Sequence, residues 1–250
     1  MNASKTFTLF HAPGSGSTFS LALLQALNVP HEVVSLNFEA RDEDSPEASR
    51  LKQTNPLCQF PTLVSPEGAV MTEMGGIALY LHDQFAANTP WSKRDLTAEQ
   101  LALFYRLMFF IPGNIYPTIA AIDFPERFIV IPSSADLHVT MEAAVGWVME
   151  KGLENREAMY KVLEGIIAAE STRRGGERKY CLGTEHPTIP DVYITLMAHY
   201  SPRPRFGWLK EHCPTIWTVA DNTMKDPVIR SVFWESFTSK DSPNDDAWPQ

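Results

Sequence analysis

Hydrophobic positions in the first third of the chain switch between strand-like runs and helical spacing, the pattern of a sheet with crossover helices. Phe7 to Phe10 is a short apolar strand, and Ala12-Pro13-Gly14-Ser15-Gly16 is a turn cluster that neither strand nor helix can continue. A helix restarts behind it, with Ser17 or Thr18 as its cap and Leu21, Leu24 and Leu27 at helical spacing, until Asn28 and Pro30 stop it. Glu32 to Leu36 is a second strand, which makes the opening a βαβ unit with parallel strands and a right-handed crossover. A charged stretch from Glu39 to Glu47 precedes a weak helix over Ala48 to Gln53. Asn55-Pro56 then turns the chain into Pro61 to Val64, and Pro66-Glu67-Gly68 folds that strand back on Ala69 to Met71 as an antiparallel hairpin. Helical spacing returns through Ile77, Leu81 and Phe85.

After a polar stretch from Asn88 to Arg94, everything reads helical. Thr97-Ala98-Glu99-Gln100 is a capping box before Leu101, Phe104, Leu107 and Met108, and Pro112-Gly113 bends or ends that helix. Ser133-Ser134-Ala135-Asp136 starts a long helix to about Glu150, and Glu157 to Glu170, Thr188 to about His199 and Thr215 to Met224 give three more. The expected organisation is an α/β domain over residues 1–87, a linker over 88–96, an all-helical domain over 97–240 and a frayed tail over 241–250.

Composition narrows the function classes. At 44% hydrophobic and 20% charged residues the chain is globular in character, and no window holds the ~20 unbroken apolar residues of a membrane span. The 21 Lys and Arg are scattered against 30 Asp and Glu, a net charge of -9, so the field that attracts nucleic acid is missing. Cys58, Cys181 and Cys213 lie far apart without metal-ligand spacing, which points to neither a disulfide framework nor a metal site. Met1 to Thr6 lacks the apolar core of a signal peptide, and a cytoplasmic location is expected.

Three motifs sharpen the picture. Asn55-Pro56-Leu57-Cys58-Gln59-Phe60-Pro61-Thr62-Leu63 is similar to N-P-x-G-x-V-P-x-L, Thr72 to Leu81 is similar to a stretch with E-S-x-A-I-x-x-Y-L, and Thr188-Ile189-Pro190-Asp191 is similar to T-x-A-D. Together they resemble the cytosolic glutathione transferase family, in its serine-type or biosynthetic tailoring subgroup. The resemblance implies a thioredoxin-like α/β N-terminal domain followed by an all-α domain, a cis Pro61, a homodimer, and glutathione as cofactor or substrate. It places the tripeptide on Gln59, Phe60, Pro61, Glu73 and Met74. Phe60 offers its backbone to the cysteinyl part, Gln59 meets the glycyl end, and Glu73 holds the γ-glutamyl ammonium. Cys58 stands where the family has Gly and Met74 where it has Ser, a lost hydroxyl that implies weaker glutathione affinity.

The chemistry that the resemblance implies is a thiolate at neutral pH, and a thiol with pKa near ~8.5 needs a donor to hold its anion. No Tyr stands in the first loop. Counting back from Glu32, the Ser of plant-type classes falls on Gly14 and the Cys of the bacterial beta-like class on Gly16. Ser15, between them, is the favoured donor, and Ser17 the second candidate. Serines beside glycine are ordinarily turn or cap residues, and His11 and Cys58 read as spectators. Tyr105, Phe109, Phe110 and Tyr116 surround Pro112-Gly113 and are candidate walls of a pocket for a hydrophobic small molecule. Three functions stand open: conjugation of glutathione to an apolar electrophile, glutathione-dependent double-bond isomerisation of the kind found in fungal secondary-metabolite pathways, and a non-catalytic regulatory or assembly module.

Overall fold

The computed structural model describes residues 6–38, 44–130, 140–174, 179–202, 205–238 and 248. Strands β1 (Phe7–His11), β2 (His31–Ser35), β3 (Thr62–Val64) and β4 (Val70–Met71) form one sheet in the order β2-β1-β3-β4. β1 and β2 are parallel, as a βαβ crossover requires, while β3 is antiparallel to both β1 and β4, with Leu63 opposite Leu9 and Met71. Side chains alternate across the sheet. Phe7, Leu9 and Leu63 join the main core with α1 (Ser17–Ala26) and α3 (Met74–Phe85), whereas Phe10 packs against Leu51 and Ala48 of α2 (Pro46–Thr54). This is the expected thioredoxin-like arrangement.

The remainder is helical: α4 (Ala98–Phe110), α5 (Tyr116–Asp123), α6 (Met141–Arg174), α7 (Ile189–His199), α8 (Arg205–His212), α9 (Pro214–Thr223) and α10 (Pro227–Phe237). Both capping boxes are present, Thr97 with Gln100 and Thr188 with Asp191. Between α3 and α4 the chain is fastened by the buried His82, whose Nε2 donates to the Trp91 carbonyl, and by Lys93 on Asp83 at 2.5 Å.

Several elements differ from the sequence reading. Neither Ser17 nor Thr18 caps α1: Gly16 holds the cap position without a side-chain bond, and both serine and threonine lie buried in the first turn. At Pro112-Gly113 the α-helical pattern gives way after Phe110 to a π-helical turn at Ile111–Ile115 and the chain then runs on into α5 rather than leaving the helix, with the Asn114 amide donating to the Phe110 carbonyl at 3.1 Å. The two helices expected up to Glu150 and from Glu157 are one 34-residue α6. Within it, Gly152 lets α5 approach: a β-carbon there would sit 2.9 Å from Ile122 Cγ1. The Ser133 box lies outside the described residues; α6 opens on Thr140, whose hydroxyl accepts from the Ala143 amide. Helices α8 and α10 were not read as such from the sequence. Trp248, placed in a frayed tail, is buried, stacked on Trp217 at 5.0 Å and on His199 at 5.1 Å.

Candidate functional site

A cleft of about 1080 Å³ opens between the C-terminal edge of the sheet and the helices that follow it. One wall carries Pro13 to Gly16, Gln59 to Pro61 and Thr72 to Gly76; the other carries Met108, Phe109, Pro112, Tyr116, Ile119, Phe124 and Arg127. Polar groups therefore concentrate on the sheet side and apolar ones on the helical side, the makeup of a site that orients one ligand and accommodates another.

The first loop leaves β1 at Ala12, turns through Gly14 at φ 74°, and enters α1 after Gly16. Only glycine fits the two outer positions without cost. Gly14 is left-handed, and a β-carbon on Gly16 would lie 2.5 Å from Met74 Sδ and 2.9 Å from Tyr116 Oη. The Gly14 carbonyl is held by the Tyr200 hydroxyl at 2.6 Å. Ser15 lines the cleft, and its Oγ lies 2.8 Å from Ser17 Oγ. Ser17 is fully buried and does not line the cleft; its Oγ also accepts from the Ala12 amide at 3.0 Å and lies 2.7 Å from His11 Nδ1. Burial lowers the His11 pKa to about 4, so the ring is neutral at pH 7.

The second loop is built by Asn55. Its amide donates to Thr62 Oγ1 at 2.9 Å, Thr62 Oγ1 donates to the Gln59 carbonyl at 2.8 Å, and its Oδ1 accepts from the Leu57 amide. This brace presents Gln59 and Phe60 ahead of a cis Phe60-Pro61 bond. Cys58 stands at φ 50°, the conformation that glycine adopts freely, which is why the family motif has Gly there; a cysteine at this φ costs about 1 kcal/mol. Glu73, at φ 65°, occupies the cap position of α3, and Met74 is its first residue, so the amides of that first turn face the cleft beside the acid.

Of the residues singled out in the sequence, Ser15, Gln59, Phe60, Pro61, Glu73, Met74, Phe109 and Tyr116 share the cleft. Tyr105 and Phe110 do not line it. Tyr105 packs edge-on against Phe104 and receives the Lys93 amino group at 3.4 Å, and the partly buried Phe110 packs against the main core. Helical spacing explains Phe110, which follows Phe109 directly and so lies about 100° round α4 from it; Tyr105 shares the face of Met108 and Phe109 but stands one turn before them, beside Lys93. The sequence reading missed Tyr193 and Tyr200, which sit on and just after α7 and close the cleft from behind. Tyr193 Oη is buried without a hydrogen-bond partner, and burial raises its pKa, while that of Tyr116 is pushed up to about 12. Both phenols are therefore donors at neutral pH. Among the described residues no helix is long and apolar enough to cross a membrane, and no group of His, Cys, Asp and Glu is placed to hold a metal ion.

Residues 5–83 match the family model of the glutathione S-transferase N-terminal domain. The chain is 29% identical to the GST-like protein YncG of Escherichia coli K12 over 224 residues, 90% of this chain and 95% of that one. Its fold is similar to that of Ure2p in complex with glutathione, with a TM-score of 0.69 at 17% identity over 93% of this chain and 95% of the other. A glutathione transferase homologue from Sulfitobacter with bound glutathione gives 0.68 at 17% identity over 91% and 96%. The first third of the chain thus matches the glutathione S-transferase N-terminal domain, and the chain as a whole is similar in sequence to a GST-like relative and in fold to Ure2p and a glutathione transferase homologue.

Proposed function

We propose that the cleft binds glutathione along its sheet-side wall and an apolar electrophile along its helical wall, and that the protein catalyses attack of the glutathione thiolate on that electrophile. The observation that carries this reading is the convergence, in one cleft, of Ser15, the braced Gln59-Phe60-Pro61 loop and Glu73 at the start of α3. The known structures of Ure2p and of the Sulfitobacter protein, whose fold this chain shares, hold glutathione. In this reading Glu73 receives the γ-glutamyl ammonium, Phe60 pairs its backbone with the cysteinyl unit, and the thiol meets Ser15 at the start of α1. Phe109, Ile119 and Phe124 supply the apolar surface for the second substrate, and the working unit is a two-fold homodimer. Conjugation and addition-elimination isomerisation use the same groups up to the carbon–sulfur adduct.

A second reading, a non-catalytic regulatory module, draws support from Met74, whose thioether fills the space against Gly16 where the family motif puts a serine hydroxyl. Titration calorimetry with glutathione separates the two. Binding is expected, and Glu73→Ala should weaken it by roughly 10- to 150-fold, the value of one charge-assisted contact. No heat and no thermal shift at saturating glutathione would put the regulatory reading first.

A further inference from the structure

Behind the cleft wall, three side chains form a continuous line of short contacts: His11 Nδ1 to Ser17 Oγ at 2.7 Å, and Ser17 Oγ to Ser15 Oγ at 2.8 Å. His11 and Ser17 are buried, and only Ser15, at the far end, reaches the cleft. Each contact needs one proton between its two atoms, and the supply is limited. Ser17 Oγ has two lone pairs, and the Ala12 amide, donating at 3.0 Å, already uses one. It can therefore accept from His11 or from Ser15, and not from both.

Two arrangements satisfy the line, and they have opposite directions. If Nδ1 of His11 carries the ring proton, it donates to Ser17, Ser17 donates to Ser15, and the Ser15 proton is left for the cleft. If the proton sits on Nε2 instead, Nδ1 accepts from Ser17, Ser17 accepts from Ser15, and Ser15 turns a lone pair toward the cleft. Having Ser17 donate to the Ala12 carbonyl, at 3.2 Å, would ask its oxygen to accept three protons. An anion in the cleft is stabilised by the first arrangement and repelled by the second.

We propose that His11 is a positioning residue that holds the line in the first direction: its Nδ1–H, acting through Ser17, frees the Ser15 hydroxyl proton to donate to the substrate thiolate. The proposal rests on the reading of Ser15 as the thiolate's donor. No proton passes along the line to the imidazole. With burial holding its pKa down to about 4, His11 is too weak a base to keep a thiol proton at neutral pH, and its part is orientation and polarisation. The charged groups that line the cleft are Glu73, Asp123 and Arg127; Tyr116, Tyr193 and Tyr200 add phenols.

The test uses the intact protein with glutathione as probe. Nitrogen NMR of His11 in the glutathione-bound protein is expected to show a protonated Nδ1 and a bare Nε2; the reverse tautomer overturns the proposal without any mutation. In parallel, the ultraviolet absorbance of the bound thiolate is followed across roughly pH 5 to 9, which brackets the ordinary thiol pKa, in variants of the line. His11→Leu and Ser17→Ala should each raise the apparent pKa of the bound thiol by about half to one unit, a three- to ten-fold loss of thiolate at neutral pH, while calorimetric affinity for glutathione measured near pH 5, where the bound thiol keeps its proton, stays the same. His11→Asn keeps an N–H donor at the position of Nδ1 and should restore most of the shift. If His11→Leu fails to fold, Ser17→Ala against Ser17→Thr makes the same comparison further along the line. Absence of glutathione binding in the unaltered protein would remove the functional reading itself. Binding with a thiol pKa that moves in Ser15→Ala but in none of the His11 and Ser17 variants would remove only the role of His11.

Discussion

A serine beside glycine at a strand end is ambiguous in sequence, since turn, cap and catalytic serines share that setting. Burial and partners separate the two serines here. Ser15 faces the cleft while Ser17, expected as a helix cap, turns inward to Ala12 and His11. The sequence reading set His11 aside as a lone histidine after a strand, of the structural or exposed kind; its partner lies on the next element, and no spacing rule links the last residue of a strand to the first turn of a helix that a glycine loop separates from it. Under the proposed function, Ser15→Ala should slow turnover by roughly 10- to 1000-fold in initial-rate assays while glutathione affinity changes little, as loss of an anion-stabilising donor does. His11 also leaves a signature in stability. Its pKa falls from 6.5 to about 4 on folding, so between those values the unfolded chain holds more protons than the folded one. The contribution is complete above pH 6.5 and is lost as the pH drops toward 4, up to about 3 kcal/mol. Urea unfolding at a series of pH values should show this component in the unaltered protein and not in His11→Asn.

Elements with both a periodic face and a capping signal were legible. The helix opening at Thr188 is the clearest, because its box is closed locally: Asp191 accepts from the Thr188 amide at 2.6 Å and from the Cys181 amide at 2.7 Å. The second of these bonds is tertiary and ties the loop before α7 to the helix that carries Tyr193. Asp191→Ala would strand both buried amides and should destabilise the fold by about 2 to 6 kcal/mol in chemical denaturation, with Asp191→Asn between it and the unaltered protein. Helix α6 shows where the reading of elements fails. The reading stopped one helix at about Glu150 and began another at Glu157, yet the chain between them is helical, and Gly152 within it packs closely on Ile122 of α5. The π turn at Ile111–Ile115 is similar: proline and glycine announce an irregularity, and only the packed structure decides that helix resumes beyond it.

At the scale of the molecule, the order of strands and the switch to an all-helical remainder could be read because hydrophobic period reports secondary structure directly. The cleft could be read on its sheet side, where motifs are contiguous, and only partly on its helical side, where α4, α5 and α7 each contribute single residues separated by long stretches of chain. Assembly belongs to this scale as well. The proposed homodimer should appear as twice the chain mass by light scattering across micromolar concentrations, and a monomer throughout would count against it. The buried Trp248 has a consequence of a different kind. Its indole lies 5.0 Å from that of Trp217 at an interplanar angle of 15°, close enough for their ultraviolet transitions to couple. The chain thus contains its own optical gauge for the seating of its C-terminal end on α9. A label or fusion appended there would be sensed by that pair.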